Sequence, residues 1–542
     1  MATTERLTPK EENDRLSSLL SLRNKIVSAQ EAILLIKDGD TVATGGFCGA
    51  GFAEDLAIYL EEQYLETKKP KGLTLLYAAG QGDYVNRGLN HFGHEGLVTK
   101  IVGGFFGAAP KLSRFVIENK IEAYNFPQGV ISHMFRDIAA HKPRTITTIG
   151  LETFVDPRYG GGKANEMTTG DLVELITFDG KEYLAYKTFP IDVALLRGTT
   201  SDENGNITME KEALTLEAQA MAMASRNSGG IVIIQVERVV QNGTLNPRQV
   251  KIPGILVDCV VISRPENHWQ TFGEVYNPSY SGEIKIPTQS IPPIEMSARK
   301  VIARRAAFEL MPKDVVNLGI GMPETISSIA SEEDIFDQIT LTAEPGVIGG
   351  LPAGGLSFGA ATNTDAIIDQ PSQFDFYHGG GLDIAFLGLA QADRKGNLNV
   401  SRFGPKLAGA GGFIDITQSA KKVVFTGTFM AEGLKVSVRD GKLTILQEGK
   451  VKKFLQDVEQ VTFSGPYAVK RNQPVLFMTE RCVFKLSSDG MELIEIAPGI
   501  DLEKDILANM EFEPIIKDPP GLMDGRIFRD EPMKLIDDLL KQ

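Results

Sequence analysis

Two stretches of this chain occur twice, in the same order each time. Asp192–Met209 (DVALLRGTTSDENGNITM) aligns without a gap on Asp383–Val400 (DIAFLGLAQADRKGNLNV), an offset of 191 positions from 192 to 383. Asp192/Asp383, Ala194/Ala385, Leu196/Leu387, Asp202/Asp393, Gly205/Gly396 and Asn206/Asn397 are identical. Each copy reads as an apolar strand followed by an Asp-x-x-Gly-Asn turn, since Gly and Asn tolerate left-handed backbone and Asp hydrogen-bonds its own turn. A second echo precedes this one. KIVSAQEAILLIKDGDTVATGGF from Lys25 and KVIARRAAFELMPKDVVNLGIG from Lys300 both read as helix, turn and β-rich strand. With one gap, Asp40 falls on Asp314, Val42 on Val316 and Gly45 on Gly319. Repetition on this scale predicts two homologous halves, the first with roughly 80 more residues between its markers.

The runs GGIVIIQVERVV and KKVVFTGTF are near-continuously apolar, as strands buried on both faces are, and helical patterns alternate with them. The expected fold class is therefore α/β: two related open α/β domains in one chain, with mainly parallel sheets covered by helices. The expected boundaries are 20–264 for the first domain, 265–293 for a linker, 294–517 for the second domain and 518–542 for a C-terminal extension. The linker is rich in Pro, Gly, Ser and Asn and has no sustained period. The extension reads as a packing element ending in a short amphipathic helix.

Charge narrows the partners. Against 70 acidic residues stand 56 basic ones, a net charge of −14, which disfavours nucleic acid or an acidic membrane, since binding either needs Lys and Arg on phosphates. Three cysteines and no CxxC pair argue against a disulfide framework or a zinc site. The N-terminus, Met1 to Asn24, is charged throughout, and no apolar run approaches the ~20 residues of a membrane helix. A cytoplasmic protein is the expectation.

Glycine clusters carry the first hint of chemistry: Gly45-Gly46-Phe47-Cys48-Gly49, Gly319-Ile320-Gly321, Gly349-Gly350, Gly354-Gly355, Gly379–Gly381 and Gly409-Ala410-Gly411-Gly412. Several follow a strand directly, where ligands of open α/β sheets lie. Any one cluster reads equally well as a tight turn. None matches GxGxxG opening a helix or a P-loop. Glu344, in DQITLTAEPGVIGGLPAGG, stands where the expected strand Gln338–Ala343 is broken by Pro345-Gly346. By itself such a carboxylate is more often a cap or an ion-pair partner than a nucleophile. Cys48 in its glycine turn reads as a small buried hydrophobe more than a thiol nucleophile. His91-x-x-His94 lacks further ligands in sequence, so no metal is assigned, and no GxSxG elbow is present.

Taken together, GDTVATGGF (39–47), YNFPQG (124–129), VVNLGIGMP (315–323), TLTAEPGVIGG (340–350), FLGLAQADRKGNLNVS (386–401) and KLAGAGGFIDI (406–416) resemble the family I coenzyme A transferases. The resemblance is to the fused single-chain acetate/propionate type, relatives of succinyl-CoA:3-oxoacid CoA-transferase, and covers about Lys25 to Lys517. It implies reversible transfer of CoA between short-chain acyl-CoA and carboxylic acids in the acetate, propionate, butyrate or acetoacetate range. It implies Glu344 as nucleophile, passing through an acyl anhydride to a glutamyl-CoA thioester. Gln128 would orient the nucleophile or the substrate carboxylate, and Gly388 would give a backbone donor to the oxyanion. Gly45, Gly46, Phe47, Asn317, Gly319, Gly321, Lys406, Gly409, Gly411 and Gly412 would line the substrate and CoA site. CoA is then a substrate, no resident cofactor or metal is expected, and the assembly would be a homodimer or homotetramer. Pro345, where many relatives carry a small polar residue, lacks a backbone donor beside the nucleophile. Three other readings are weighed: an acyl-CoA hydrolase on the same scaffold, a non-catalytic acyl-CoA-binding protein, and a sugar-phosphate isomerase, which the duplication and the Glu344 segment disfavour.

Overall fold

The computed structural model describes residues 25–287 and 294–539. The charged N-terminal stretch, residues 288–293 of the expected linker and residues 540–542 lie outside the described residues.

In the first half, Thr41–Thr44 (β1), Leu73–Tyr77 (β2), Val98–Gly103 (β3), Glu122–Asn125 (β4), Val193–Arg197 (β5), Ile231–Val236 (β6) and Cys259–Ile262 (β7) form one sheet. Its order is β7-β6-β5-β1-β2-β3-β4 and every pairing is parallel. The second half builds a ten-stranded sheet from Val315–Leu318 (β8), Thr340–Ala343 (β9), Val347–Ile348 (β10), Ala366–Ile367 (β11), Ile384–Gly388 (β12), Lys422–Thr426 (β13), Val475–Met478 (β14), Cys482–Ser487 (β15), Gly490–Ile496 (β16) and Gly521–Leu522 (β17). Its order is β11-β10-β9-β8-β12-β13-β14-β15-β16-β17. The central run β9-β8-β12-β13-β14 is parallel and repeats β2-β1-β5-β6-β7. Antiparallel hairpins flank it on both sides.

The repeat extends to register and hydrogen bonding. Val42 pairs with Val193 in the first sheet, and their counterparts Val316 and Ile384 pair in the second. Asp192 Oδ2 accepts the Thr41 N–H at 2.8 Å, and Asp383 Oδ2 accepts the Val315 N–H at 2.9 Å. Asp202 holds the amides of Asn204 and Asn206 as Asp393 holds those of Lys395 and Asn397. Alternate strand residues feed opposite faces: Val42, Leu75 and Val193 enter one apolar cluster, Ala43, Leu76 and Ala194 the other. Both faces are covered, which is why these strands read as unbroken apolar runs.

The helices used below are Ala29–Ile33 (α1), Gln128–Ala139 (α2), Ala298–Ala307 (α3), Gln370–His378 (α4) and Phe413–Ser419 (α5). The serine-capped α1 and α3 precede β1 and β8, as the second echo predicts.

One sequence expectation is corrected. GGIVIIQVERVV is not one strand: β6 stops at Val236, and Arg238–Val240 joins a separate four-stranded sheet. The amides of Glu237 and Arg238 both turn to the Thr199 carbonyl, which takes the chain out of the parallel ladder. The tail packs against the second half, as its sequence leads one to expect. β17 pairs with β16, and Ile527, Phe528, Met533 and Leu535 are buried in the second half's core. The expected terminal helix is a single short piece, Leu535–Leu539.

Candidate active site

β9 ends at Ala343, and Glu344-Pro345-Gly346 forms a three-residue loop into β10, with Ala343 paired to Val347. The Gly346 N–H closes the loop on the Ala343 carbonyl at 3.1 Å. Gly346 has φ +118°, and a Cβ there would stand 1.9 Å from the Ile368 carbonyl oxygen, so only glycine fits. This turn holds Glu344 at a hairpin tip with its side chain inward, 8% exposed. The Asn317 Nδ2 of β8 lies 3.5 Å from Glu344 Oε2 and 3.4 Å from both the Thr342 carbonyl and the Tyr377 hydroxyl. Tyr377 in turn donates to Thr342 Oγ1 at 2.8 Å. Burial pushes the Glu344 carboxyl above the usual carboxylate range, and the nearby charge of Asp415 adds to that, while Asn317 opposes it.

Gln128 arrives from the other half. Pro127 precedes α2 with its φ set by the ring, and Gln128 is the first residue of the helix, 2% exposed. Its N–H donates to the Gly411 carbonyl at 2.9 Å. The segment from Ala408 to Gly412 is stitched to the first half throughout. The amides of Phe106 and Gly107 bond the Ala408 carbonyl, at 2.7 and 3.0 Å, and the Gly411 N–H bonds the Gly104 carbonyl at 2.7 Å. The Ala410 N–H donates to Asn125 Oδ1 at 2.9 Å. Gly409 has φ +91°, and a Cβ there would sit 2.9 Å from the Phe105 Cα. The cluster expected to receive CoA is thus also where the two halves' backbones touch.

A cavity of about 230 Å³ opens at this seam. The first half lines it with Phe47, Cys48, Tyr84, Phe105 and Gln128; the second lines it with Gly319, Ile320, Glu344, Phe358, Gly388, Phe413 and the glycines 409, 411 and 412. Asn317 stands behind the wall against Glu344, and Gly45, Gly46, Gly321 and Lys406 lie off it. Gly46 serves packing, since a Cβ there would meet Gln81 at 3.0 Å. Lys406 sits exposed on a small hairpin opposite Phe403. Nothing in the sequence pattern singles out Tyr84, Phe105 or Phe358, although Phe105 follows a glycine pair, Gly103-Gly104, of the same kind as the clusters above.

The other candidates resolve differently. Cys48 lines the cavity, and burial together with the charges of Glu344 and Glu324 pushes its thiol up to about 12, so it stays protonated. His91 is held between Glu54 and Glu61, and His94 also meets Glu61. Among the described residues no group of three or more His, Cys, Asp or Glu could hold a metal ion, and no helix is long and apolar enough to cross a membrane.

Known proteins share this plan. A family model for coenzyme A transferase matches residues 26–263. The chain is 50% identical over 513 residues to caffeate CoA-transferase of Acetobacterium woodii, spanning 94% of this chain and 98% of that one. It is 45% identical over 516 residues to acetate CoA-transferase YdiF of Escherichia coli (strain K12), spanning 95% and 97%. The crystal structure of the acyl-CoA transferase YdiF from E. coli O157:H7, a thioester complex with CoA, matches with a TM-score of 0.90 at 44% identity, covering 94% of this chain and 97% of that one. A duplicated α/β fold whose seam buries a hairpin-tip glutamate, carried on a sequence this similar over nearly its whole length, belongs to the coenzyme A transferase family.

Proposed function

We propose that this coenzyme A transferase works through a covalent thioester on Glu344, exchanging CoA between short-chain acyl-CoA and free carboxylates. The observation that carries this reading is the buried Glu344 carboxylate, facing the same cavity as Gln128 of the other half. A carboxylate is a weak nucleophile unless held against its target, and covalent catalysis divides one hard step into easier ones. Glu344 attacks the acyl-CoA carbonyl and expels CoA thiolate, leaving an acyl-glutamyl anhydride. The thiolate then attacks the glutamyl carbonyl, forming the glutamyl-CoA thioester and releasing the first acid as its carboxylate. An incoming carboxylate attacks the thioester, expels the thiolate again, and the thiolate takes the new acyl group, freeing Glu344.

Each tetrahedral intermediate needs donors aimed at its oxyanion, and losing one costs ~10²–10³ in rate. The Gly388 backbone N–H, at the end of β12 on the cavity wall, is the donor this reading assigns, and the Gln128 side chain orients the nucleophile or the substrate carboxylate. Asn317 holds the carboxylate from behind. Pro345 has no N–H, so no donor is assigned next to the nucleophile. A glutamyl thioester hydrolyses if water enters, and the near-complete burial of Glu344 supports a closed site. The reading extends to a cytoplasmic homodimer or homotetramer, which size-exclusion chromatography with light scattering tests.

The test is product analysis with acetyl-CoA, with and without propionate. The proposal predicts propionyl-CoA and continuing release of acetate only when propionate is present; without it, acetate release stops at one equivalent per Glu344. Release of CoA at the same rate in both samples would instead identify an acyl-CoA hydrolase. Binding of acyl-CoA without exchange of labelled acetate would identify a non-catalytic protein.

A further inference from the structure

We infer that Asp415 is a positioning residue for the transfer reaction, fixing Gln128 in front of the nucleophile from a third element of the site. The inference rests on the reading of Glu344 as nucleophile. Asp415 is the third residue of α5 and fully buried. Its Oδ2 accepts the N–H of Gly129, the residue after Gln128 and in the other half of the chain, at 3.0 Å. Its Oδ1 lies 3.0 Å from His378 Nε2 at the end of α4. Gly129 belongs to the first turn of α2, whose amides have no acceptor within the helix, so Asp415 caps α2 from outside.

The fit demands a glycine. A Cβ at position 129 would stand 2.5 Å from Asp415 Oδ1 and 2.5 Å from the Phe374 ring. A carboxylate buried this deeply costs desolvation that an apolar side chain would not, and what the cost secures is the orientation of Gln128. Two consecutive amides, of Gln128 and Gly129, are gripped by Gly411 and Asp415. One short segment of the second half thus fixes the backbone from which the Gln128 side chain enters the cavity, where its Nε2 donates to Gln370 Oε1 at 3.4 Å.

Charge gives the inference a second handle. Asp415 adds to the burial effect on the Glu344 carboxyl. The other groups facing Glu344 are Asn317 from β8, Tyr377 from α4 and the neutral thiol of Cys48. Asp415 itself faces His378, with the His133 ring 5.0 Å beyond and Asp375 at 3.0 Å from His133, and the Tyr186 phenol on its first-half side.

The test uses Asp415→Ala and Asp415→Asn in the full-length enzyme. Asp415→Ala releases Gly129, and kcat should fall about a hundredfold, as small misplacements of reacting groups do, with KM for acyl-CoA unchanged. Asp415→Asn keeps an oxygen on the Gly129 N–H and removes the charge. It should recover most of kcat, and the acid limb of its kcat–pH profile should move to lower pH, because Glu344 then ionises more readily. An unchanged kcat in Asp415→Ala, or an acid limb in Asp415→Asn that stays or moves up, overturns the inference. Should Asp415→Ala not fold, Asp415→Ser, whose shorter side chain withdraws the acceptor from the Gly129 N–H, takes its place with the same two outcomes. Intact-mass analysis separates the two levels. If unaltered enzyme carries no CoA adduct on Glu344 during turnover, both readings fall. If it does, and Asp415→Ala forms the adduct at the same rate, only the role of Asp415 falls.

Discussion

Gln128 and Glu344 come from opposite halves of the chain and flank one glycine pair. A Cβ on Gly411 would lie 3.9 Å from Gln128 Oε1, and one on Gly412 would lie 3.5 Å from Glu344 Cγ and 3.6 Å from its Oε1. Side chains on those glycines would stand between amide and carboxylate. Their absence leaves the space a tetrahedral intermediate needs.

Placement of the carboxylate sets the first prediction. Glu344→Ala should abolish exchange of labelled acetate into acetyl-CoA. Glu344→Asp withdraws the carboxylate by one methylene and should cost on the order of 10² in kcat. Retention of most activity by Glu344→Ala would remove the nucleophile assignment.

The raised carboxyl of Glu344 predicts a pH signature in stability. A carboxyl whose pKa is higher folded than unfolded binds its proton more tightly in the native state. Stability is therefore lost as pH rises from the unfolded value, about 4.3, through the folded one. Glu344→Gln removes that loss. Its Tm should exceed that of the unaltered enzyme at neutral pH, and the difference should vanish below about pH 4. A Glu344→Gln variant less stable at neutral pH would show that the carboxylate is better solvated than its burial implies.

Acid selectivity follows from the wall. Phe47, Tyr84, Phe105, Ile320, Phe358 and Phe413 line the cavity, and no Lys or Arg is among its lining residues. A dicarboxylate would bury its second charge without a basic partner, a penalty of several kcal/mol. Butyrate should thus exceed succinate as acceptor by on the order of 10² or more in kcat/KM, measured by formation of the new acyl-CoA. Equal use of both acids would place a cation in the site that the wall does not contain.

The seam itself can be tested by adding one methyl group. Gly409→Ala forces a Cβ to 2.9 Å from the Phe105 Cα at φ +91°. Gly180 has φ +76° with open space around it. Left-handed strain of roughly 1–3 kcal/mol is common to both alanine variants. Only Gly409→Ala should lose kcat as well as Tm, because only there does the backbone of the other half have to move.

Much of this molecule was legible because duplication preserves chemistry along with pattern. Asp192 and Asp383 recur in sequence because each caps the same edge of the same strand pair. Glu344 stood out because Pro345 and Gly346 can only be a turn. Asp415 was not legible. It sits in the apolar run GGFIDI, and its purpose appears only when Gly129 is brought against it by folding. The exit of the chain at Glu237 depends on a carbonyl at Thr199, which no local pattern reports. The tail reads as a packing element, but where it packs was not legible: Ile527, Phe528 and Met533 have no regular spacing, and their partners lie on elements distant in the chain.

The most direct measurement is intact-mass analysis after adding acyl-CoA without an acceptor acid, followed by peptide mapping. A mass gain of one CoA less one water, on the peptide containing Glu344 and removed by added carboxylate, is the predicted result. Protein that stays unlabelled while exchange proceeds, or a label on another residue, would contradict it.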